Sequence, residues 1–225
     1  MMVPSPTRAQ ARSPRRETLT GAVLCGGRSQ RMGRDKAAIE IGGKTLLQHA
    51  IAALDPLCAE VLLASGSAPR FSDLGRREVL DAAPDAGPLA GLVAALEASR
   101  TEWLIALACD MPGVDTRVLE ELACVAQEGG WDVTMLGAPS GPEPLCAVYR
   151  ASCAPAARAA LLAGRVKLTD FHSLESRPAL RVATRPIDRF SAPLRGAALE
   201  SARNLNTPED LARALERARA DAPQA

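Results

Sequence analysis

Aromatic residues make up only 3% of this 225-residue chain, and histidine occurs twice, at His49 and His172. That is too few rings for the stacking platforms that hold single-stranded nucleic acids. A net charge of +1 also excludes the basic footprint of bulk nucleic-acid binding. No apolar run approaches the roughly 20 residues that cross a bilayer as a helix. The six cysteines, Cys25, Cys58, Cys109, Cys124, Cys146 and Cys153, include no Cys-x-x-Cys pair, so zinc-ligand spacing is missing. Most of them lie in apolar runs, where a thiol acts as a small hydrophobe. No secretory signal precedes them, which points to a reducing, cytoplasmic setting. Two common nucleotide fingerprints are missing as well. Five residues separate Gly27 from Gly33 with no Lys-Ser/Thr after them, and no Gly-x-Gly-x-x-Gly occurs, so neither a Walker A loop nor a dinucleotide turn is present.

What remains is an aliphatic chain, 47% hydrophobic, long enough for one α/β domain with its own core. The domain is expected over residues 18–219, with a frayed end at 220–225. Residues 1–17 carry Arg8, Arg12, Arg15 and Arg16 among three prolines. They read as a disordered basic tail, because the prolines oppose an amphipathic targeting helix.

Apolar patterning predicts strands over 20–24, 60–64, 78–80, 103–108, 131–136 and 145–149. It predicts helices over 45–54, 88–99, 116–127 and 154–163. Residues 171–202 are rich in Pro, Arg and Ser and read as loops with one short strand near 180–183. Thr207 reads as a helix cap, with Pro208 as the first helical residue and Asp210 completing a box-like arrangement. Alternating strands and helices imply an α/β fold with a mostly parallel central sheet flanked by helices on both faces.

In such sheets ligands bind outside the carboxyl ends of the strands, and three polar features fall there. The first is the run from Cys25 to Gly33. Gly26 and Gly27 let the backbone approach a ligand and present N–H groups, while Arg31 and Lys36 add positive charge suited to a triphosphate. The second is Asp110, just past a buried strand, where a carboxylate is costly unless used. One carboxylate plus substrate phosphates is a common way to hold Mg²⁺. The third is the segment 84–91 after the third strand; just past that strand, Asp81 or Asp85 could accept hydrogen bonds from a base, assist the metal, or simply form a turn.

The run Leu24-Cys25-Gly26-Gly27-Arg28-Ser29-Gln30-Arg31-Met32-Gly33-Arg34-Asp35-Lys36 resembles the N-terminal signature of the molybdenum cofactor guanylyltransferases. Gly87-Pro88-Leu89-Ala90-Gly91, Cys109-Asp110-Met111-Pro112, Pro144-Leu145-Cys146-Ala147-Val148-Tyr149 and Asn204-Leu205-Asn206-Thr207-Pro208 resemble four further motifs of that family, in its order. The resemblance implies a Rossmann-like nucleotidyltransferase fold and transfer of GMP from GTP to the terminal phosphate of molybdopterin. It implies that Leu24, Cys25, Gly26 and Gly27 meet the nucleotide, that Lys36 binds its phosphates with help from Arg31, and that Asp110 holds Mg²⁺. Asp81 matches the family's other nucleotide-contacting aspartate, and Asn204 and Asn206 fall on the molybdopterin side.

Three positions depart from the family pattern. Cys25 stands for the usual Ala, Leu63-Ala64-Ser65 lacks an Asn found there in some members, and Glu143 stands where His or Gln is frequent. The expected partners are GTP, molybdopterin and other molybdenum cofactor proteins or acceptor molybdoenzymes, with no nucleic acid and no membrane. The alternatives are CMP or AMP transfer to molybdopterin, nucleotide transfer to a sugar phosphate, and a non-catalytic cofactor carrier.

Overall fold

The structure, a computed structural model, describes residues 14–26, 35–81, 83, 86–165, 167–173 and 179–220. Its centre is a seven-stranded sheet built from β1 (Leu19–Leu24), β4 (Glu60–Gly66), β5 (Arg77–Leu80), β6 (Trp103–Ala108), β7 (Val133–Ala138), β8 (Gly141–Arg150) and β9 (Val182–Pro186). The strand order is β5-β4-β1-β6-β8-β7-β9. Only β8 runs against its neighbours; the other pairings are parallel. A small hairpin of β2 (Glu40–Ile41) and β3 (Lys44–Thr45) stands apart.

The two faces of the sheet are covered as strand alternation dictates. Leu19 and Val23 of β1 pack in a cluster with α1 (Leu46–Leu54), α3 (Thr116–Gly129) and Ala198 of α5 (Ala192–Ser201). Ala22 and Leu24 pack on the opposite face with α2 (Pro88–Ala98) and α4 (Ala154–Leu162). The last helix, α6 (Pro208–Ala220), lays Leu211 and Leu215 against Ile41, Leu46 and Leu205.

The chain steps from β1 to β4 to β5 on one side, then returns through α2 to β6 on the other side of β1. The direction of winding therefore reverses between β1 and β6, which is where a doubly wound sheet opens a crevice for ligands.

Local chemistry sets the element ends. Thr45 and Gln48 form a reciprocal capping box on α1, and Asp115 caps α3 by accepting from Arg117 N at 2.8 Å. Thr207 Oγ1 accepts from Asp210 N at 3.2 Å while Asp210 Oδ2 accepts from Thr207 N at 3.0 Å, which is the box the sequence predicted.

Three of the differences from the sequence reading have a clear physical cause. Residues 192–201 form α5 rather than a loop. Pro193 lies in its first turn, where proline is well tolerated, so only Gly196, in its middle, is a breaker inside the helix. Tertiary contact offsets that glycine: Ser201 is fully buried and its Oγ accepts from Asp115 N at 3.0 Å. Second, β8 begins at Gly141 rather than 145. Its prolines, Pro142 and Pro144, lie beyond Cys146, the last residue paired with β6. That extension has a free side, where a missing N–H costs nothing. Third, residues 14–17, read as part of the tail, are attached: Arg16–Thr18 form a turn and Arg16 Nε donates to Cys58 O at 2.8 Å.

Candidate active site

The carboxyl ends of β1, β4, β5 and β6 surround one cavity of about 1010 Å³. Its lining includes Leu24, Cys25, Gly26, Lys36, Asp81, Asp110 and Asn206, so seven of the residues singled out in the sequence converge. Gly27 and Arg31 lie outside the described residues, as does Asp85.

At the β6 end, Lys36 Nζ donates to Asp110 Oδ2 at 2.7 Å and to Asn206 Oδ1 at 3.2 Å. Both charged side chains of that pair are about four-fifths buried, at 20% and 19% exposure. Lys36 is delivered by a short turn, Lys36–Ala38, whose cap Asp35 accepts from Ala37 N at 3.1 Å. Asn206 is brought in from the far end of the chain by a backbone hydrogen bond, Leu205 N donating to Asp110 O at 2.9 Å.

Among the described residues no group of three or more His, Cys, Asp and Glu side chains could cage a metal. The donor set at this end, the Asp110 carboxylate beside a lysine in an open cavity, suits a divalent cation held by a single carboxylate together with substrate phosphates.

At the β5 end stands Asp81. Its N–H donates to Gly66 O at 2.9 Å. Its Oδ1 is buried with no hydrogen-bond partner among the described residues, and burial raises its pKa above the ordinary carboxylate value. A buried acceptor without a donor is costly unless a ligand supplies one. The first turn of α2 walls this end, entered through Gly87, whose φ of 75° suits glycine alone. A Cβ at Gly91 would stand 3.5 Å from Asp81 Oδ1 and 3.6 Å from Leu24 Cδ2, so a larger side chain there would fill the space beside the carboxylate. Three strand spacings separate β5 from β6, about 14 Å, room for a base at one end and phosphates at the other.

Gly26 has a reason the sequence did not reveal. A Cβ there would lie 2.7 Å from Gly66 N and 2.8 Å from Gly66 Cα, and Gly26 N donates to Ala64 O at 2.8 Å. The glycine thus lets β1's exit press against β4, besides facing the cavity. Asn204 and Asn206, read together from the sequence, separate in space. Asn206 reaches Lys36, whereas Asn204 Nδ2 donates to Glu143 Oε2 at 3.1 Å. Sequence reasoning missed Arg70, which lines the cavity. The available signal was a cation just beyond a buried strand's carboxyl end.

The MobA-like NTP transferase domain model matches residues 21–177. A protein of Chloroflexus aggregans named "Probable molybdenum cofactor guanylyltransferase" is 34% identical over 201 residues, 86% of this chain and 91% of the relative. The molybdenum cofactor guanylyltransferase of Serratia proteamaculans is 33% identical over 88% of this chain and 94% of its own length. The crystal structure of molybdopterin-guanine dinucleotide biosynthesis protein A from Archaeoglobus fulgidus superposes with a TM-score of 0.73 at 28% identity, covering 89% of this chain and 99% of that one. A family match across most of the chain, with relatives above 30% identity along nearly their whole length, means that the chain belongs to the molybdenum cofactor guanylyltransferases of the MobA-like NTP transferase family.

Proposed function

We propose that this enzyme transfers GMP from GTP to the terminal phosphate of molybdopterin, releasing pyrophosphate and forming a guanine dinucleotide cofactor. The observation that carries this reading is the polarity of the cavity. The Asp81 carboxylate, whose Oδ1 has no hydrogen-bond partner among the described residues, lies at one end and a Lys36–Asp110–Asn206 cluster at the other.

An ionised Asp81 can accept from both N1–H and N2–H₂ of guanine. Adenine and cytosine offer no such adjacent pair of donors. Backbone groups of Leu24, Cys25 and Gly26 border the base and ribose, and Gly27 and Arg31 would extend that contact toward the phosphates.

In the reaction an oxygen of the terminal phosphate of molybdopterin attacks the α-phosphorus of GTP. A new P–O bond forms, the bond from the α-phosphorus to the bridging oxygen breaks, and pyrophosphate leaves with its charge. A phosphate nucleophile at neutral pH needs no strong base, so the protein's share is positioning and charge stabilisation. Lys36 binds phosphate oxygens and offsets the charge that builds on the leaving group. Asn206 holds the Lys36 ammonium in place, and Asp110 is the carboxylate that would hold Mg²⁺. When bound, that ion would supply Lewis-acid neutralisation of phosphate oxygens. Neither histidine is needed: His49 Nε2 meets Ile41 O at 2.8 Å, and burial lowers the His172 pKa to about 4.

Asn204, anchored on Glu143, lies on the side we assign to molybdopterin. Other cofactor-assembly proteins and acceptor molybdoenzymes are the expected protein partners. The proposed setting is the cytoplasm, in keeping with five buried thiols, Cys25, Cys58, Cys109, Cys146 and Cys153; among the described residues no helix is long and apolar enough to cross a membrane. Incubation with GTP, Mg²⁺ and molybdopterin, followed by mass analysis of the pterin, tests the reading. A pterin heavier by one guanylyl group (GMP less water) supports it, and an unmodified pterin with a nucleotide-bound enzyme overturns it in favour of a carrier.

A further inference from the structure

Arg70 has no role in the account above, yet its contacts converge on the catalytic end of the cavity. Its Nη2 donates to Cys25 O at 2.6 Å and its Nη1 lies 3.3 Å from Asp35 Oδ2. Cys25 immediately follows β1, and Asp35 caps the turn that carries Lys36. One planar guanidinium therefore holds these two points within about 8 Å of each other. In sequence they are ten residues apart, and a chain of that length can separate its ends by roughly 30 Å.

Arg70 is itself held from behind. Its backbone N–H donates to Glu78 Oε2 at 2.8 Å and that of Phe71 to Glu78 Oε1 at 3.0 Å, while its guanidinium lies 4.8 Å from the centre of the Phe71 ring. Glu78 belongs to β5, so the brace is rooted in the sheet.

We propose that Arg70 is a positioning residue that clamps Cys25 to Asp35 and so presets Lys36 against Asp110 before the nucleotide arrives. This rests on the guanylyltransferase reading and adds to it a residue that no family motif quoted above contains. The competing role is a direct one, with Arg70 as a loose cation for phosphates in the cavity it lines. The two roles make opposite demands on chemistry. A clamp needs two donors in a fixed fork, which lysine lacks; a phosphate cation needs only charge, which lysine keeps. The ion pair with Asp35 is a third to two-fifths exposed and by itself worth little. The Cys25 carbonyl contact and the shared geometry must carry the effect.

The test compares wild type with Arg70→Lys, Arg70→Gln, Asp35→Asn and the Arg70→Gln/Asp35→Asn double variant. Asparagine at 35 can still accept from Ala37 N, so the cap on the Lys36 turn survives. The readouts are the GTP dissociation constant at equilibrium and the split between kcat and KM for GTP. A clamp lowers the fraction of binding-competent protein, so Kd and KM rise about tenfold while kcat changes by less than about threefold. Arg70→Lys should fail to rescue, Asp35→Asn should reproduce much of the loss, and the double variant should be no worse than Arg70→Gln alone. Near-wild-type affinity in Arg70→Lys, or unchanged or tighter binding in Asp35→Asn, would overturn the proposal and assign Arg70 to direct phosphate contact. Wild-type turnover tests the underlying reading. The variant-to-wild-type ratio of GTP dissociation constants tests the clamp, whether or not guanylyl transfer occurs.

Discussion

Replacing Asp81 with Asn should make the protein more stable and a worse guanylyltransferase. Asp81 Oδ1 is buried and partnerless among the described residues, and burial raises the carboxyl's pKa. The folded state therefore holds a proton more tightly than the unfolded state does. Stability falls as pH rises through the window between the ordinary and the raised pKa, and the full penalty is present above that window. Asparagine removes the charge. Asparagine still leaves a polar group without a partner, so only the desolvation of the charge is relieved, and at a half-buried site the gain is at most about 1 kcal/mol. That raises the Tm of a domain this size by at most about 2–4 °C.

Function should move the other way. Asparagine offers one acceptor and turns a donor toward the donors of guanine. Losing one charge-assisted hydrogen bond and the charge assistance of the other costs about 2–4 kcal/mol, roughly 30- to 1000-fold in kcat/KM. The assay compares GTP with ITP, whose base lacks the 2-amino group. Wild type should prefer GTP by about tenfold or more, and Asp81→Asn should bring that ratio close to one. A variant that keeps the GTP-to-ITP preference would show that Asp81 does not read the base, and a lower Tm would show that its burial is not a cost. The same geometry predicts that GTP affinity weakens as pH falls through the raised Asp81 pKa, because protonation converts an acceptor into a donor.

Three further outcomes follow from the site and the core. Asp110→Ala should lower turnover by about 10²- to 10³-fold while GTP binding without metal, followed by calorimetry, persists; chelation with EDTA should abolish wild-type turnover likewise. Gly26→Ala forces a Cβ to within 2.7 Å of the Gly66 backbone, so thermal unfolding should report a loss of about 1–3 kcal/mol. Burial pushes the Cys58 and Cys109 thiols up to about 12. A chromogenic disulfide reagent at pH 8 should therefore react with them slowly in the native protein and rapidly in guanidinium.

How much of this was legible beforehand varied with the range of the interaction responsible. β6 was read to the residue because a strand buried on both faces is a continuous apolar run, Trp103 to Ala108, preceded by Glu102 and followed by Cys109-Asp110. The start of α6 was read correctly because its capping box is local. The α5 helix was hidden because its stability comes from docking Ala198 and Ser201 rather than from its own propensity. The Lys36–Asp110 contact joins residues 74 positions apart, and only the order of the strands brings them together. Each residue could be suspected separately from its place after a strand. Arg70 escaped because a single cation in the loop after β4 belongs to no motif and its role is defined by its partners, Cys25 and Asp35.

The most direct test of the central claim is pyrophosphate release by the purified protein with Mg²⁺ and molybdenum-loaded molybdopterin, comparing GTP, CTP and ATP. The account predicts release with GTP alone, matched by an equal amount of guanylated pterin. Release with CTP or ATP in place of GTP would contradict the assignment of the base to Asp81, and no release with any nucleotide would contradict the enzyme itself.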